Sequence, residues 1–200
     1  SEMCGNAVRC VAKYSYDRGL IKAKPLVDTI MEESLKVACP EADSFGQIAV
    51  LTGNGVLPIG LAVVEGKVTQ ACVNMGAPIL APAKIPVNLP GETVTDYPVE
   101  INGDEYEITC VSMGNPHAVV FCDDVYDVDL EKIGPAFEHN KLFPRRINVH
   151  FVQIVSSGEV IMRTWERGSG ITLACGTGAS AVCVAGVLTG RTARTILAHL

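Results

Sequence analysis

Short apolar or alternating runs, separated by Gly, Pro and Asn, dominate the hydrophobic pattern of this chain. Such runs are typical of β-strands that bury one face. In the first half they predict strands at residues 35–39, 47–52, 60–64 and 67–75. In the second half they predict strands at residues 118–122, 146–155 and 159–166, with a turn at Ser157-Gly158. The pattern therefore predicts a chain built mainly from sheet.

The clearest local signal is Asn102-Gly103, which lies between two alternating segments. Both residue types tolerate the positive φ of a two-residue turn, so this step predicts a β-hairpin. Asp129 is a suitable N-cap for a helix over residues 130–139, although Gly134-Pro135 weakens that helix. Five prolines between residues 78 and 98 favour a domain boundary. We therefore predict domains at residues 1–85 and 86–200.

Two segments of the chain repeat one pattern. The first is SEMCGNAVRC at residues 1–10, and the second is LACGTGASAVC at residues 173–183. A shift of 171 residues aligns Cys4 with Cys175, Gly5 with Gly176, Val11 with Val182, and Gly19 with Gly190. Each copy predicts a helix that begins at the Cys-Gly step and ends at a glycine suited to left-handed backbone. We therefore expect two copies of one unit, each with a cysteine at a helix N-terminus.

The composition of the chain limits the kinds of molecule that the protein is expected to bind. The chain has 200 residues, of which 48% are hydrophobic and 19% charged, as in globular proteins with a sizeable core. A net charge of −6 without a Lys/Arg run argues against nucleic-acid binding. The uncharged window at residues 168–190 is interrupted by glycines and hydroxyl residues, which favours a helix buried in protein over a membrane span. We expect a cytoplasmic protein that binds a small molecule and neither nucleic acid nor membrane.

The eight cysteines include no CxxC spacing. A chain of this length and apolar content needs no disulfide staples, so we expect free thiols and no metal site. A cysteine at a helix N-terminus has a lowered pKa, and the neighbouring N–H groups can hold a carboxylate. Two such cysteines on either side of one carbon can invert it: a thiolate removes a proton from one face, and a thiol returns one to the other. The alternative is that Cys4 and Cys175 are small core residues.

Five segments together resemble the diaminopimelate epimerase family over nearly the whole chain. They are MCGN at residues 3–6, VNMGAP at 73–78, VSMGNPHAVVF at 111–121, FPRRINVHFV at 143–152 and WERGSGITLACGTGASA at 165–181. The resemblance implies an α/β (α+β) fold of two pseudosymmetric halves, each a mainly antiparallel sheet wrapped round a central helix. It implies an isomerase that interconverts LL- and meso-2,6-diaminopimelate, for lysine and peptidoglycan synthesis, without a cofactor. It also suggests a homodimer.

The resemblance further implies roles for particular residues. The two acid/base cysteines correspond to Cys4 and Cys175, and the other catalytic residues to Glu166 and to His117, placed to tune the first thiol. The reacting carboxylate is held by Gly5, Asn6, Gly176 and Thr177. Further substrate contacts come from Asn115, Asn148, Glu166 and Arg167, the last two at the distal amino acid end. That end is a zwitterion and requires one anion and one cation. Taken singly, His117, Asn148 and the Glu166-Arg167 pair have ordinary structural explanations.

The chain departs from the family at a few positions. Ile171 stands where Glu is common, and Ala7-Val8 stands where Gly-Ala is common. His150 is unusual, and we expect it to be an exposed strand residue without a function. Proline racemases and hydroxyproline epimerases also use two cysteines and a CGTG step, but they have His where this chain has Asn6. A second alternative is a catalytically silent relative that only binds, against which both cysteines argue.

The two copies of the repeated pattern are preceded by different lengths of chain. Roughly 90 residues precede the cysteine in the second copy, whereas three precede it in the first. We therefore expect these 200 residues to be part of a protein of roughly 270 to 300 residues. Taken alone, they are expected to bind diaminopimelate poorly.

Overall fold

The computed structural model describes residues 4–53 and 55–200, which form two mixed α/β units divided between Gly76 and Ala77. The first unit contains helices α1 (Gly5–Asp17) and α2 (Thr29–Ala38). Its strands are β1 (Lys24–Pro25), β2 (Ser44–Thr52), β3 (Gly55–Val64) and β4 (Lys67–Val73). They form one antiparallel sheet in the order β1-β2-β3-β4.

Strand β3 separates two small cores in the first unit. Ile59 and Leu61 pack with Ala12 of α1, whereas Ala62 packs with Leu35 of α2. Because successive side chains of a strand point to opposite faces, the two helices lie on opposite sides of the sheet.

The second unit contains helices α3 (Leu130–Glu138) and α4 (Gly176–Leu188). Its strands are β5 (Tyr97–Ile101), β6 (Asp104–Ser112), β7 (Pro116–Phe121), β8 (Asn148–Ser156), β9 (Glu159–Glu166), β10 (Gly170–Thr172) and β11 (Leu197–His199). The sheet order is β10-β9-β8-β7-β6-β5, with β11 also paired to β9. Only the β7-β8 and β11-β9 pairs are parallel among these described strands. The predicted α/β fold with mainly antiparallel sheets is confirmed.

The two faces of the second sheet differ in chemistry. Phe151 of β8 packs against Phe137 of α3 with ring centroids 5.9 Å apart, at the centre of a large apolar core. The opposite face meets α4. There a Cβ added to Gly178 would lie 2.3 Å from Cε1 of His150, so only glycine allows this approach of helix to sheet. The sheet therefore has an apolar face toward α3 and a polar face toward α4.

The predicted repeat is visible in the hydrogen bonds that end α1 and α4. The N–H of Leu20 donates to Ser15 O, and the N–H of Arg191 donates to Gly186 O, in positions 171 residues apart. Gly19 and its counterpart Gly190 both have left-handed backbone, with φ of 68° and 70°. This is the Schellman end of a helix, for which glycine is preferred. Both helices thus begin at a Cys-Gly step and end in the same way, as predicted.

Most of the predicted strands are present, with ends that differ by a few residues. The hairpin at Asn102-Gly103 joins β5 to β6, and both residues have positive φ. The helix capped by Asp129 is α3, which ends one residue earlier than expected. The strand predicted at residues 35–39 is wrong, because those residues belong to the last turn and the C-cap of α2. Asp28 caps that helix, and Met31 and Leu35, four residues apart, bury its apolar stripe.

The domains predicted at residues 1–85 and 86–200 stay a prediction. The proline-rich stretch contains a short 3-10 helix, Pro82–Lys84, and a bridge from Ile79 to Ser112. Within residues 4–53 and 55–200, no helix has both the length and the apolar composition needed to cross a membrane.

Replacing Gly134 by Ala should lower the free energy of unfolding. A Cβ at Gly134 would lie 2.3 Å from Cδ2 of Trp165. Overpacking of this kind costs about 1 to 3 kcal/mol, which exceeds a gain in helix propensity of up to about 1 kcal/mol. Urea unfolding measures the change, and Gly158→Ala is the control because nothing lies within 4 Å of an added Cβ there. Equal midpoints for the two variants would contradict this packing.

Candidate active site

Three strands of the second unit bring polar residues to one edge of the sheet. Strands β7 and β8 are parallel and begin at this edge, with His117 paired in register to Asn148. Strand β9 is antiparallel to β8 and ends at the same edge with Glu166. Asn115 precedes β7, and its Nδ2 donates to Thr177 Oγ1 of α4 over 3.2 Å. The sheet edge and the N-terminal turn of α4 therefore gather the predicted residues of this unit.

Asn148 joins the strand ends at this edge. Its Nδ2 donates to the carbonyl of Pro116 over 2.7 Å, and its Oδ1 accepts from the N–H of Arg167 over 3.0 Å. Glu166 Oε1 accepts from Thr172 Oγ1 over 2.7 Å, and Arg167 Nη1 donates to the carbonyl of Arg145 over 2.9 Å. The adjacent anion and cation are thus held by the turn that follows β9.

Buried Glu138 of α3 also holds this turn. It accepts hydrogen bonds from Nε1 of Trp165 over 2.7 Å and from the N–H of Gly168 over 2.9 Å, and it pairs with Arg146. Burial by itself would raise the pKa of Glu138, but these three donors and the charge interaction with His139 together lower it. Glu138 therefore remains an anion beneath the turn at neutral pH.

Cys175 is the N-cap of α4 and is 4% exposed. Its Sγ lies 3.5 Å from Thr177 Oγ1. Burial raises the pKa of the thiol and the Glu166 carboxylate adds to the increase, while Thr177 and the N–H of Gly178 act in the opposite direction. The lowered pKa expected at a helix N-terminus is therefore wrong for Cys175, because burial outweighs the local donors. Cys175 carries its proton at neutral pH.

Cys4 is the corresponding N-cap of α1, in the first unit, and it is exposed. Its Sγ accepts from the N–H of Ala7 over 3.4 Å, which satisfies one N-terminal donor of the helix. Gly5 and Asn6 form the first turn, and Asn6 Oδ1 accepts from the guanidinium of Arg9. No acidic residue lies in this first turn. Gly5 and Asn6 are thus placed in the first turn after one cysteine, as Gly176 and Thr177 are after the other.

His117 and His150 form a fully buried pair on the face of the sheet that meets α4. Nδ1 of His117 lies 2.8 Å from Nε2 of His150, and both residues are 0% exposed. Burial lowers the pKa of His117 well below its usual value, and His150 and Arg167 lower it further. Burial lowers the pKa of His150 to about 3. Both rings are therefore neutral at neutral pH.

The expectation that His150 is exposed is wrong. It alternates with Val149 and Phe151, which face α3, so it must face α4. The glycine at position 178 makes room for it. The alternation in NVHFV is the sequence signal that places His150 beside Asn148 on one face of the strand, although histidine is commonly an exposed residue.

The chain is similar in sequence to known proteins. Residues 109–200 match the family model described as diaminopimelate epimerase. The diaminopimelate epimerase of Brachyspira hyodysenteriae is 46% identical over 200 residues, covering 100% of this chain and 64% of that protein. The diaminopimelate epimerase of Desulfovibrio desulfuricans is 49% identical over 208 residues, with the same coverage of each chain. The chain thus spans a little under two thirds of the length of these curated relatives.

Solved structures with low sequence identity share the fold. A probable proline racemase from Agrobacterium radiobacter has a TM-score of 0.66 at 12% identity, covering 96% of this chain and 54% of that one. A hydroxyproline epimerase from Agrobacterium vitis has a TM-score of 0.64 at 15% identity, with the same coverage. The sequence comparisons reach much higher identity. The resemblance to the diaminopimelate epimerase family that the motifs indicate is therefore confirmed over all 200 residues.

Proposed function

We propose that this chain carries the two acid/base cysteines of a cofactor-independent isomerase that interconverts LL- and meso-2,6-diaminopimelate. One observation carries the proposal: Cys4 and Cys175 each cap the N-terminus of a helix, in two copies of one pattern 171 residues apart. The sequence similarity to curated diaminopimelate epimerases supports the choice of substrate. The product serves lysine and peptidoglycan synthesis.

The reaction needs one base and one acid. The thiolate of one cysteine takes the α-proton, forming an S–H bond and leaving the electron pair on the α-carbon. The thiol of the other cysteine gives its proton to the opposite face of that carbon and becomes a thiolate. Because Cys175 holds its proton at neutral pH, it is ready to serve as the acid in one direction. The reverse direction exchanges the two roles.

The substrate carboxylate lies at the helix N-termini in this mechanism. Backbone N–H groups there attract anions, and they stabilise the charge that develops next to the carboxylate when the proton leaves. We assign this binding to Gly5 and Asn6 of α1 and to Gly176 and Thr177 of α4.

The distal end of the substrate is assigned to the turn after β9. Glu166 is the anion for the distal ammonium, and Arg167 is the cation for the distal carboxylate. Asn115 adds an amide near the N-terminus of α4. Asn148 shapes the same edge, because both ends of its amide are bonded to backbone. A substrate with only one amino acid end would leave the Glu166-Arg167 pair without a partner.

Two alternatives come from the sequence. One is an enzyme for a cyclic amino acid, like the proline racemase and the hydroxyproline epimerase with which this chain shares its fold alone. Asn6, and the pair of charges at residues 166 and 167, argue against it. A catalytically silent binding protein would keep the fold alone, and the presence of cysteine at both helix starts argues against that.

We also infer that the protein acts in the cytoplasm on a small molecule, in agreement with its eight free thiols. A homodimer is a prediction from the family resemblance. Light scattering of the purified protein should give twice the monomer mass, and the mass of a single chain would contradict it.

Solvent exchange distinguishes the candidate substrates. The reduced full-length gene product, incubated in heavy water without added cofactor, should exchange the α-proton of diaminopimelate, because a thiol returns a solvent-derived proton. Proton NMR of diaminopimelate and of proline, in parallel, measures the loss of each α-signal. Exchange of proline alone would overturn the substrate assignment. Exchange of neither would favour the silent relative.

Replacing either Cys4 or Cys175 by Ala should reduce epimerisation by at least about 100-fold, because each thiol serves one face of the carbon. The matched controls are Cys10→Ala on α1 and Cys183→Ala on α4, which keep the helix N-termini unchanged. Circular dichroism checks that all four variants fold. A Cys4 or Cys175 variant as active as its control would rule out the two-base mechanism.

A further inference from the structure

A continuous hydrogen-bonded chain of buried side chains crosses the polar face of the second unit. It begins on β9, passes through β8 and β7, and ends at the N-terminus of α4. Its members, in order, are Thr164, His150, His117, Asn115, Thr177 and Cys175, all of them buried. Four of its five links are 2.8 to 3.2 Å long, and the last, to sulfur, is 3.5 Å.

The amide of Asn115 reveals the direction of the hydrogen bonds in this chain. Its Oδ1 faces Nε2 of His117 at 2.9 Å, and an amide oxygen can only accept. Nε2 of His117 therefore carries the proton, and its Nδ1 is an acceptor. His150 must then donate from Nε2, so its Nδ1 accepts from the hydroxyl of Thr164 over 2.9 Å. Both histidines are neutral and protonated at Nε2.

The same direction continues toward the cysteine. Nδ2 of Asn115 donates to Thr177 Oγ1, which leaves the one hydroxyl proton of Thr177 available for Cys175 Sγ. With Thr177 as the donor in that last contact, every donor in the chain points toward the sulfur. Two charged groups act on the chain from the turn after β9: the Glu166 carboxylate on Cys175 and the Arg167 guanidinium on His117.

We propose that His150 is a positioning residue, whose Nε2–H fixes the tautomer of His117 and thereby turns the donors of Asn115 and Thr177 toward Cys175 Sγ. In the proposed reaction Cys175 becomes a thiolate each time it gives up its proton. A hydroxyl donor that already faces the sulfur stabilises that anion without rearrangement. The catalytic part of this inference rests on the proposed function, whereas the direction of the chain does not.

The tautomers can be measured without any substrate. Long-range nitrogen-proton NMR spectra of the histidine rings should show His117 and His150 both neutral and both protonated at Nε2 at pH 7. The spectra of His139→Gln and His199→Gln, which alter exposed histidines, assign the remaining signals. A proton on Nδ1 of either buried ring, or a cationic ring, would overturn the proposed direction.

Two substitutions at position 150 separate positioning from packing. His150→Gln retains a terminal amide that can donate to His117 and accept from Thr164, whereas His150→Leu retains neither group. Iodoacetamide alkylation at pH 8, followed by mass spectrometry, reports the thiolate fraction of Cys175. We expect the Leu variant to be alkylated there about threefold to tenfold more slowly than wild type, and the Gln variant at close to the wild-type rate. Cys10, in the first unit, is the internal control.

A merely structural role for His150 predicts the opposite change. A loosened core would expose Cys175, so its alkylation would become faster in the Leu variant. Equal or faster alkylation would therefore overturn the proposal. If the Leu variant does not fold, Thr164→Val removes the first donor at nearly constant volume and should slow alkylation of Cys175 in the same direction, with an unchanged rate overturning the proposal.

Kinetics of the full-length protein complete the test. In the Leu variant kcat should fall several-fold with little change in KM, because the effect arises when Cys175 becomes an anion, and the Gln variant should recover most of the loss. A change confined to KM would contradict positioning. Absence of epimerisation in the wild type would defeat the proposed function alone, because the NMR and alkylation results stand without it.

Discussion

The close approach of α4 to the second sheet determines the chemistry of this unit. At Gly178 the helix backbone lies so near His150 that an added Cβ would meet Cε1 at 2.3 Å and Nε2 at 2.8 Å. This distance leaves no room for a layer of aliphatic side chains between the helix start and strands β7 and β8. The space holds hydrogen-bonded polar groups instead, and burial without hydrogen bonds would be costly for them. The approach thus brings Thr177 to Asn115, and Thr177 in turn contacts Cys175.

Because side chains alternate along a strand, the apolar core and the polar residues lie on opposite faces of one sheet. On the α3 face, aromatic and aliphatic side chains pack tightly around Phe137 and Phe151. On the α4 face, the same strands present His117 and His150. Because each strand contributes to both faces, a one-residue shift of β8 would place His150 in the apolar core and Phe151 against Gly178. The apolar core therefore fixes the register on which the polar chain depends.

Features that depend on local backbone preferences could be predicted from the sequence, whereas features that depend on tertiary packing could not. Asn102-Gly103 and the two Cys-Gly helix starts depend on local backbone preferences, and the structure has them where they were predicted. The apolar run at residues 35–39 fits a strand equally well, and only its packing under β3 shows that it ends a helix. Likewise the pKa of Cys175 follows from burial, a property of the folded unit. The burial of His150 depends on a glycine 28 positions away.

The turn after β9 is held by residues that flank its charged pair. Glu138 binds Trp165 on one side and Gly168 on the other, and neither contact involves the side chain of Glu166 or Arg167. The side chains at positions 166 and 167 can therefore change while the backbone between them keeps this support. A substitution at Glu138 would disturb the turn, regardless of which side chains are present at positions 166 and 167. The unit thus separates the charged side chains at positions 166 and 167 from the carboxylate that supports the backbone beneath them, so this pair can be exchanged without loss of that support.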